Sequence, residues 1–257
     1  MKRTAIFLFT TMFTCTAFAQ GMDKGHHIEF YGGASIPVGS FGKSLFGQSY
    51  YEDGKQSTLD FHGAKTGASY GLVADFYVIN DYIGILINVN ASTYSLKSAA
   101  TYPANDILTN ATWNTTASGK WHSIQVLLGA TFRYPIVDWL LVTGRAAIGY
   151  NHLVVPFFAS EATTQQSRYT YKHTLTTPSK GGFGYLAGVG LQFSATSSIG
   201  FHLRCDYTGS SAIAFRGNKQ AESVITDDLG QVRSTDYFEF HESFQAINLN
   251  FGLSLAF

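Results

Sequence analysis

Residues 247–257 read INLNFGLSLAF, an alternation that puts Ile247, Leu249, Phe251, Leu253, Leu255 and Phe257 on one side and Asn248, Asn250, Gly252, Ser254 and Ala256 on the other. Successive side chains of an extended chain point to opposite faces, so the run is a strand with one greasy face and one small or polar face. Such alternation over about ten residues is the length of a tilted strand crossing the apolar core of a bilayer.

Seven further segments repeat the pattern, at 28–36, 68–78, 83–91, 124–134, 140–150, 183–193 and 199–207. In the segment 124–134, for example, Ile124, Val126, Leu128, Ala130, Phe132 and Tyr134 oppose Gln125, Leu127, Gly129, Thr131 and Arg133. Very short turns (Asn80-Asp81, Pro135 to Asp138, Thr196 to Ser198) alternate with long polar stretches, roughly 37–65, 96–120, 157–180 and 213–241. Short turns at one rim and long loops at the other are the asymmetry of a membrane barrel. The expected fold is therefore all-β, a transmembrane antiparallel up-and-down β-barrel of eight strands with long extracellular arms and short periplasmic turns. Two arms carry strand-rich flanks around Asp53-Gly54 and Leu229-Gly230, which predicts hairpins standing above the membrane. A ten-strand barrel would require one of these hairpins to enter lipid. The charges Glu52, Lys55, Asp60, Asp227 and Arg233 on their faces oppose that.

Composition agrees with this reading. The chain is 15% aromatic and only 13% charged, with 26 glycines, yet its mean hydropathy is +0.02. Apolar and polar residues are thus interleaved. No nucleic-acid partner is expected from a formal net charge of zero. Lys2 and Arg3, the apolar run from Ala5 to Phe13 and the small-x-small end Ala17-Phe18-Ala19 predict a secretory leader over residues 1–19, cleaved after Ala19, with the barrel domain at 20–257. Beyond the leader Cys205 is the single cysteine, so no internal disulfide is expected. A soluble lipocalin-like barrel would point its apolar face inward to a ligand. Here the other face is glycine, serine, asparagine and charge, which suits a polar interior.

That inner face gathers Glu29, Asp75 and Asp206 with Arg133, Arg145, Arg204 and His202. Eight strands leave an interior that side chains just fill, so these charges are expected to pair as a salt-bridged plug, with a narrow pore for small solutes as the alternative. Aromatic residues of the arms, Tyr50, Tyr51, Tyr169, Tyr171, Tyr237 and Phe238, are candidates for a binding surface or for packing between neighbouring arms.

Asn250, Gly252, Leu255 and Phe257 stand at the spacing of a polar residue, a glycine, a hydrophobic residue and a final aromatic. In this the segment resembles the assembly signal of the bacterial outer-membrane β-barrel family, and the opening IEFYGGASIPVGSFG resembles the first strand and loop of its small OmpA-like and OmpX-like porin-type members. The resemblance implies an outer-membrane location, recognition by the barrel assembly machinery, and contact with outer-membrane lipid and lipopolysaccharide. With no periplasmic domain expected after the barrel, peptidoglycan binding does not carry over.

Some small barrels modify lipid A, and His241-Glu242-Ser243 is the one set to weigh; on a strand His241 and Ser243 share a face and Glu242 does not. The fuller motifs of those enzymes are absent, so the expectation is a non-enzymatic protein acting in surface interaction, adhesion or envelope integrity. No cofactor is expected, and no metal, because His26 and His27 diverge on a strand without a third ligand nearby.

Overall fold

The eight alternating segments form eight barrel strands: β1 (His27–Pro37), β2 (Gly67–Ile79), β3 (Ile83–Ser95), β4 (Lys120–Val137), β5 (Leu140–Val154), β6 (Ser179–Ser194), β7 (Ile199–Ser210) and β8 (Gln245–Ala256). They come from a computed structural model describing residues 25–43, 45–50, 56–61, 63–79, 82–96, 112–163, 169–175, 179–215, 221–227, 231–237 and 240–257. The leader, the Asn80-Asp81 turn, Tyr51 and Phe238 lie outside these residues.

Each strand pairs antiparallel with its neighbour in sequence, and β8 closes on β1. Crossing from strand to strand, His27 pairs with Asp75, then Leu86, Gly129, Ala147, Leu186, Thr208 and Ala246 follow in turn. Ala246 pairs with Pro37, ten residues beyond the start on β1. That stagger is what tilts the strands of a closed barrel and sets its bore.

Alternation becomes geometry in the spanning strands. Phe30, Val126, Leu128, Ile148, Phe183, Leu249 and Phe251 stand exposed on the outside, Leu128 at 59%. Glu29, Asn88, Gln125, Arg145 and Asp206 are buried inside. The interior is less uniformly polar than expected, because Tyr31, Val73, Leu86, Leu127, Ala147 and Leu186 form an apolar cluster within it. Inward glycines make room for bulk on the next strand. Gly188 faces Asp206 so closely that a Cβ would collide with the carboxylate, and one on Gly252 would stand 2.5 Å from the His202 ring.

The strands run further than their alternation suggests. β4 continues through Pro135 to Val137 with a register shift between them, which leaves only Asp138 and Trp139 before β5. Above the barrel the arms build sheets of their own instead of adding strands to the wall, so the strand count is eight and not ten. Thr112–Ser118, Phe157–Thr163, Tyr169–Leu175, Ala221–Asp227 and Val232–Tyr237 form one five-stranded antiparallel sheet. Leu45–Tyr50 and Gln56–Phe61 form a separate hairpin, so both predicted hairpins are present.

The large sheet rises from one side of the barrel. Ser118 pairs with Phe157 directly above the point where His122 pairs with Val154, so the β4–β5 ladder is resumed in the arm. The interruption has a local cause. Gly119 adopts a left-handed φ of 96°, and Pro156 lacks an amide hydrogen to continue the ladder.

Candidate functional site

The interior divides into three levels. At the short-turn end, His27 is buried at the start of β1 and its Nε2 contacts the Arg133 guanidinium, which lies 3.9 Å over the Tyr77 ring. His27 is thus part of the lumen, while the His26 ring packs on Phe76 and Phe257. The two histidines diverge, and among the described residues no three metal-ligating side chains converge.

In the middle, the Arg145 guanidinium binds Asp206 through two parallel bonds, Nε to Oδ1 at 2.9 Å and Nη2 to Oδ2 at 2.5 Å. Arg204 pairs with Glu29. Both arginines flank Tyr31, with guanidinium carbons 5.7 Å and 6.0 Å from the ring centroid, and Asn88 donates to its hydroxyl at 3.3 Å. Asn250 donates to Asp206 Oδ2 at 3.1 Å and accepts from Ser69 at 2.6 Å, so the polar residue of the assembly-signal pattern also belongs to this network. Glu29, Asp75, Arg133, Arg145, His202, Arg204 and Asp206 all lie inside the barrel. Asp75 stands on β2 facing the same interior, and His202 sits against Gly252.

At the arm end the chemistry changes. Phe41, from the segment after β1, is 1% exposed and meets Tyr94, Trp121 and Phe244 edge-on at centroid distances of 5.1, 5.3 and 5.2 Å. Leu153, Val155, Ile213, Phe215 and Ala246 complete an apolar plug across this end. The segment carrying Phe41 is tied down by Val38 N–H to the Gln245 carbonyl at 3.0 Å and by Ala64 N–H to the Phe41 carbonyl at 2.9 Å. Tyr94 and Trp121 lie beyond the alternating runs 83–91 and 124–134, on the lengths by which β3 and β4 outrun them, and continue their inward parity. Phe41 and Phe244 lie outside any strand and carry no such signal.

The set His241, Glu242 and Ser243 does not assemble as a relay. His241 is exposed and Glu242 is buried. Glu242 Oε1 accepts the Ser243 backbone N–H at 3.1 Å, and the Ser243 hydroxyl lies 3.1 Å from that of Ser40. Burial pushes the Glu242 carboxyl up to about 8, against the smaller opposing pull of the Ser243 amide. Of the arm aromatics, Tyr50, Tyr169, Tyr171 and Tyr237 fall on arm strands.

The belt outside decides what kind of barrel this is. Interior polar groups are screened from lipid by an unbroken wall, every spanning strand finds its hydrogen bonds in its neighbours, and the outer face is apolar throughout the spanning region. Closure of this kind is how strands satisfy their backbone in a bilayer. The fold is that of a small outer-membrane β-barrel.

No family model and no curated protein matches the sequence. Among solved structures, the outer-membrane protein OprG of Pseudomonas aeruginosa is 12% identical, with 93% of this chain and 100% of that chain covered at a TM-score of 0.48. The outer-membrane protease OmpT of Escherichia coli is 10% identical, with 94% and 100% covered at 0.47. The attachment invasion locus protein Ail of Yersinia pestis is 12% identical, with 90% and 99% covered at 0.37. At such identities no residue role passes from these barrels to this one.

Proposed function

We propose that the chain resides in the outer membrane as a non-enzymatic barrel whose lumen is closed and whose work is done by its extracellular arms, in surface interaction or envelope integrity. The observation that carries this reading is the double closure of the bore: the Arg145–Asp206 pair in the middle and the Phe41 plug at the arm end. An interior filled in this way is a stiff support, and three long connections spend their residues on a shared sheet above it. In planar bilayers the purified barrel is expected to give no single-channel steps. Cells displaying it are expected to lose any surface attachment it confers when the arm sheet is shortened and the barrel is kept. Reproducible conductance steps would sink the reading.

A second reading, a narrow channel, draws on one feature. Among the described residues, the buried atoms His202 Nδ1 and Nε2, Arg204 Nη1, Ser194 Oγ and Asn90 Oδ1 have no protein hydrogen-bond partner. Buried polar atoms of this kind are commonly satisfied by water, so displacement of the plug alone would leave a hydrated path.

A further inference from the structure

Between the charged middle of the bore and the aromatic plug, the inward side chains change character once more. On β3, Asn90 and Ser92 stand between Asn88, which donates to Tyr31 in the middle, and Tyr94 of the plug. On β8, Asn248 stands between Asn250, bonded to Asp206, and Ala246 of the plug. β4 offers Gln125 and Ser123 below Trp121, and β5 offers Asn151 below Leu153. Each of these intervening side chains is polar and uncharged. So are Ser35 and Thr208, which bond Asn248 from the strands on either side of β8.

Three amides of this tier form one row. Asn90 pairs with Gln125 across β3 and β4, and Gln125 pairs with Asn151 across β4 and β5. None of the three is more than 2% exposed. Two of them are held by one half of the amide: Gln125 Nε2 donates to the Gly209 carbonyl at 3.0 Å, and Asn151 Oδ1 accepts from Ser123 at 2.6 Å. The other halves, Gln125 Oε1 and Asn151 Nδ2, have no protein hydrogen-bond partner, and neither has Asn90 Oδ1 beside them. Asn88, at the foot of the tier, is in the same state, with Nδ2 on Tyr31 and Oδ1 unpartnered. Trp121 Nε1, at its head, is unpartnered as well. One stretch of wall thus turns three oriented acceptors and two donors into the bore.

We infer that this wall binds a small uncharged polyol of the monosaccharide class, admitted from the arm side when Phe41 is displaced. A hydroxyl both donates and accepts, so a molecule carrying several of them answers a row in which acceptors and a donor stand side by side. The row crosses two strand spacings, about 10 Å, a span that one sugar-sized molecule bridges. A charged solute does not fit, because the tier has no ionised side chain to offset its desolvation and the charges below are already paired with one another. Entry is from above, since the ion pairs close the middle. Phe41 belongs to no strand, and its segment is held by the Val38 and Ala64 amide bonds and by the contact of the Ser40 and Ser243 hydroxyls at 3.1 Å. It therefore moves without opening the wall, and solute enters and leaves by the same mouth. The inference is independent of what the arms bind.

The test titrates the detergent-purified barrel with glucose, with glucosamine as its cationic analogue and with glucuronate as its anionic one. Binding is read from the Trp121 indole N–H resonance and by native mass spectrometry. Glucose is expected to shift the resonance and to bind at least tenfold more tightly than either charged analogue. The double variant Asn90→Ala, Gln125→Ala should weaken glucose at least tenfold, while Ser194→Ala, at the short-turn end of the bore, should leave it unchanged. Heat-modifiable gel migration, run on every variant, separates loss of the barrel from loss of the site, and Asn151→Ala gives the same reading if the double variant fails to fold. Entry is tested by Ser40→Cys, Ser243→Cys, whose disulfide should pin Phe41 in place: the oxidised form is expected to exclude glucose and the reduced form to admit it. Failure of the parent to bind glucose leaves the row to water and overturns the inference. So does equal binding of the charged analogues, full affinity in a folded Asn90→Ala, Gln125→Ala barrel, or uptake of glucose by the oxidised form.

Discussion

The middle of the lumen and its arm end close the same bore with opposite chemistry. In the middle, Arg145, Asp206, Arg204 and Glu29 fill the space with paired charge. At the arm end, Phe41, Tyr94, Trp121 and Phe244 fill it with aromatic rings. A charge buried in a narrow bore is tolerated only while its partner is in place, since removing one member leaves the other desolvated. A ring in the plug loses contacts in proportion to what is cut away. The middle should therefore fail steeply and the plug gradually.

The steepest expected loss is Asp206→Ala, which strands Arg145 and also removes the acceptor for Asn250. It is expected to destabilise the barrel by about 3–5 kcal/mol, read as a lowered midpoint of heat-modifiable migration. The double variant Arg145→Met, Asp206→Leu should recover most of that loss, and a double variant as weak as the single one would break the contrast.

Phe41→Ala comes next, at about 3 kcal/mol if the ring is packed as a core residue. Its signature is different: the barrel should stay silent in planar bilayers, because the Arg145–Asp206 pair still closes the middle. Conductance steps from a folded Phe41→Ala barrel would assign the seal to the plug alone and break the double closure.

The smallest effect concerns Glu242, beside the plug. Its carboxyl stays protonated up to about 8 in the fold, whereas in an unfolded chain it ionises near pH 4.3. The folded state therefore holds the proton over this interval when the unfolded state does not, and stability falls as pH rises from about 4 to about 8. Glu242→Gln removes that slope and should be the more stable form at pH 8, by about 1 kcal/mol or more. Parallel pH profiles of parent and variant would refute it.

Much of the barrel was legible because period-two alternation is local. Glu29, Asp75, Arg133, Arg145, His202, Arg204 and Asp206 all have the parity that turns them inward, and parity needs no knowledge of neighbours. Tyr31 and Tyr77 carry the same parity, but their guanidinium contacts join strands far apart in sequence and depend on register. The Arg145–Asp206 pairing was illegible for a different reason. It depends on stagger, which is a property of all eight closures together, and strands β5 and β7 are not even adjacent in the wall.

The plug shows the limit most clearly. Phe41 and Phe244 lie in irregular segments about two hundred residues apart, and nothing in either neighbourhood specifies the other. The arms are intermediate: their turn residues marked the hairpins, but three connections joining into a single sheet required strands brought side by side by the barrel beneath them.

By itself, then, the sequence determined the strands, their faces and which end carries the arms, since alternation and turn chemistry act over a few residues. Only the tertiary structure decided which charges pair and what fills the arm end. Each of these depends on the register at which eight strands close, and closure is a condition on the whole chain at once.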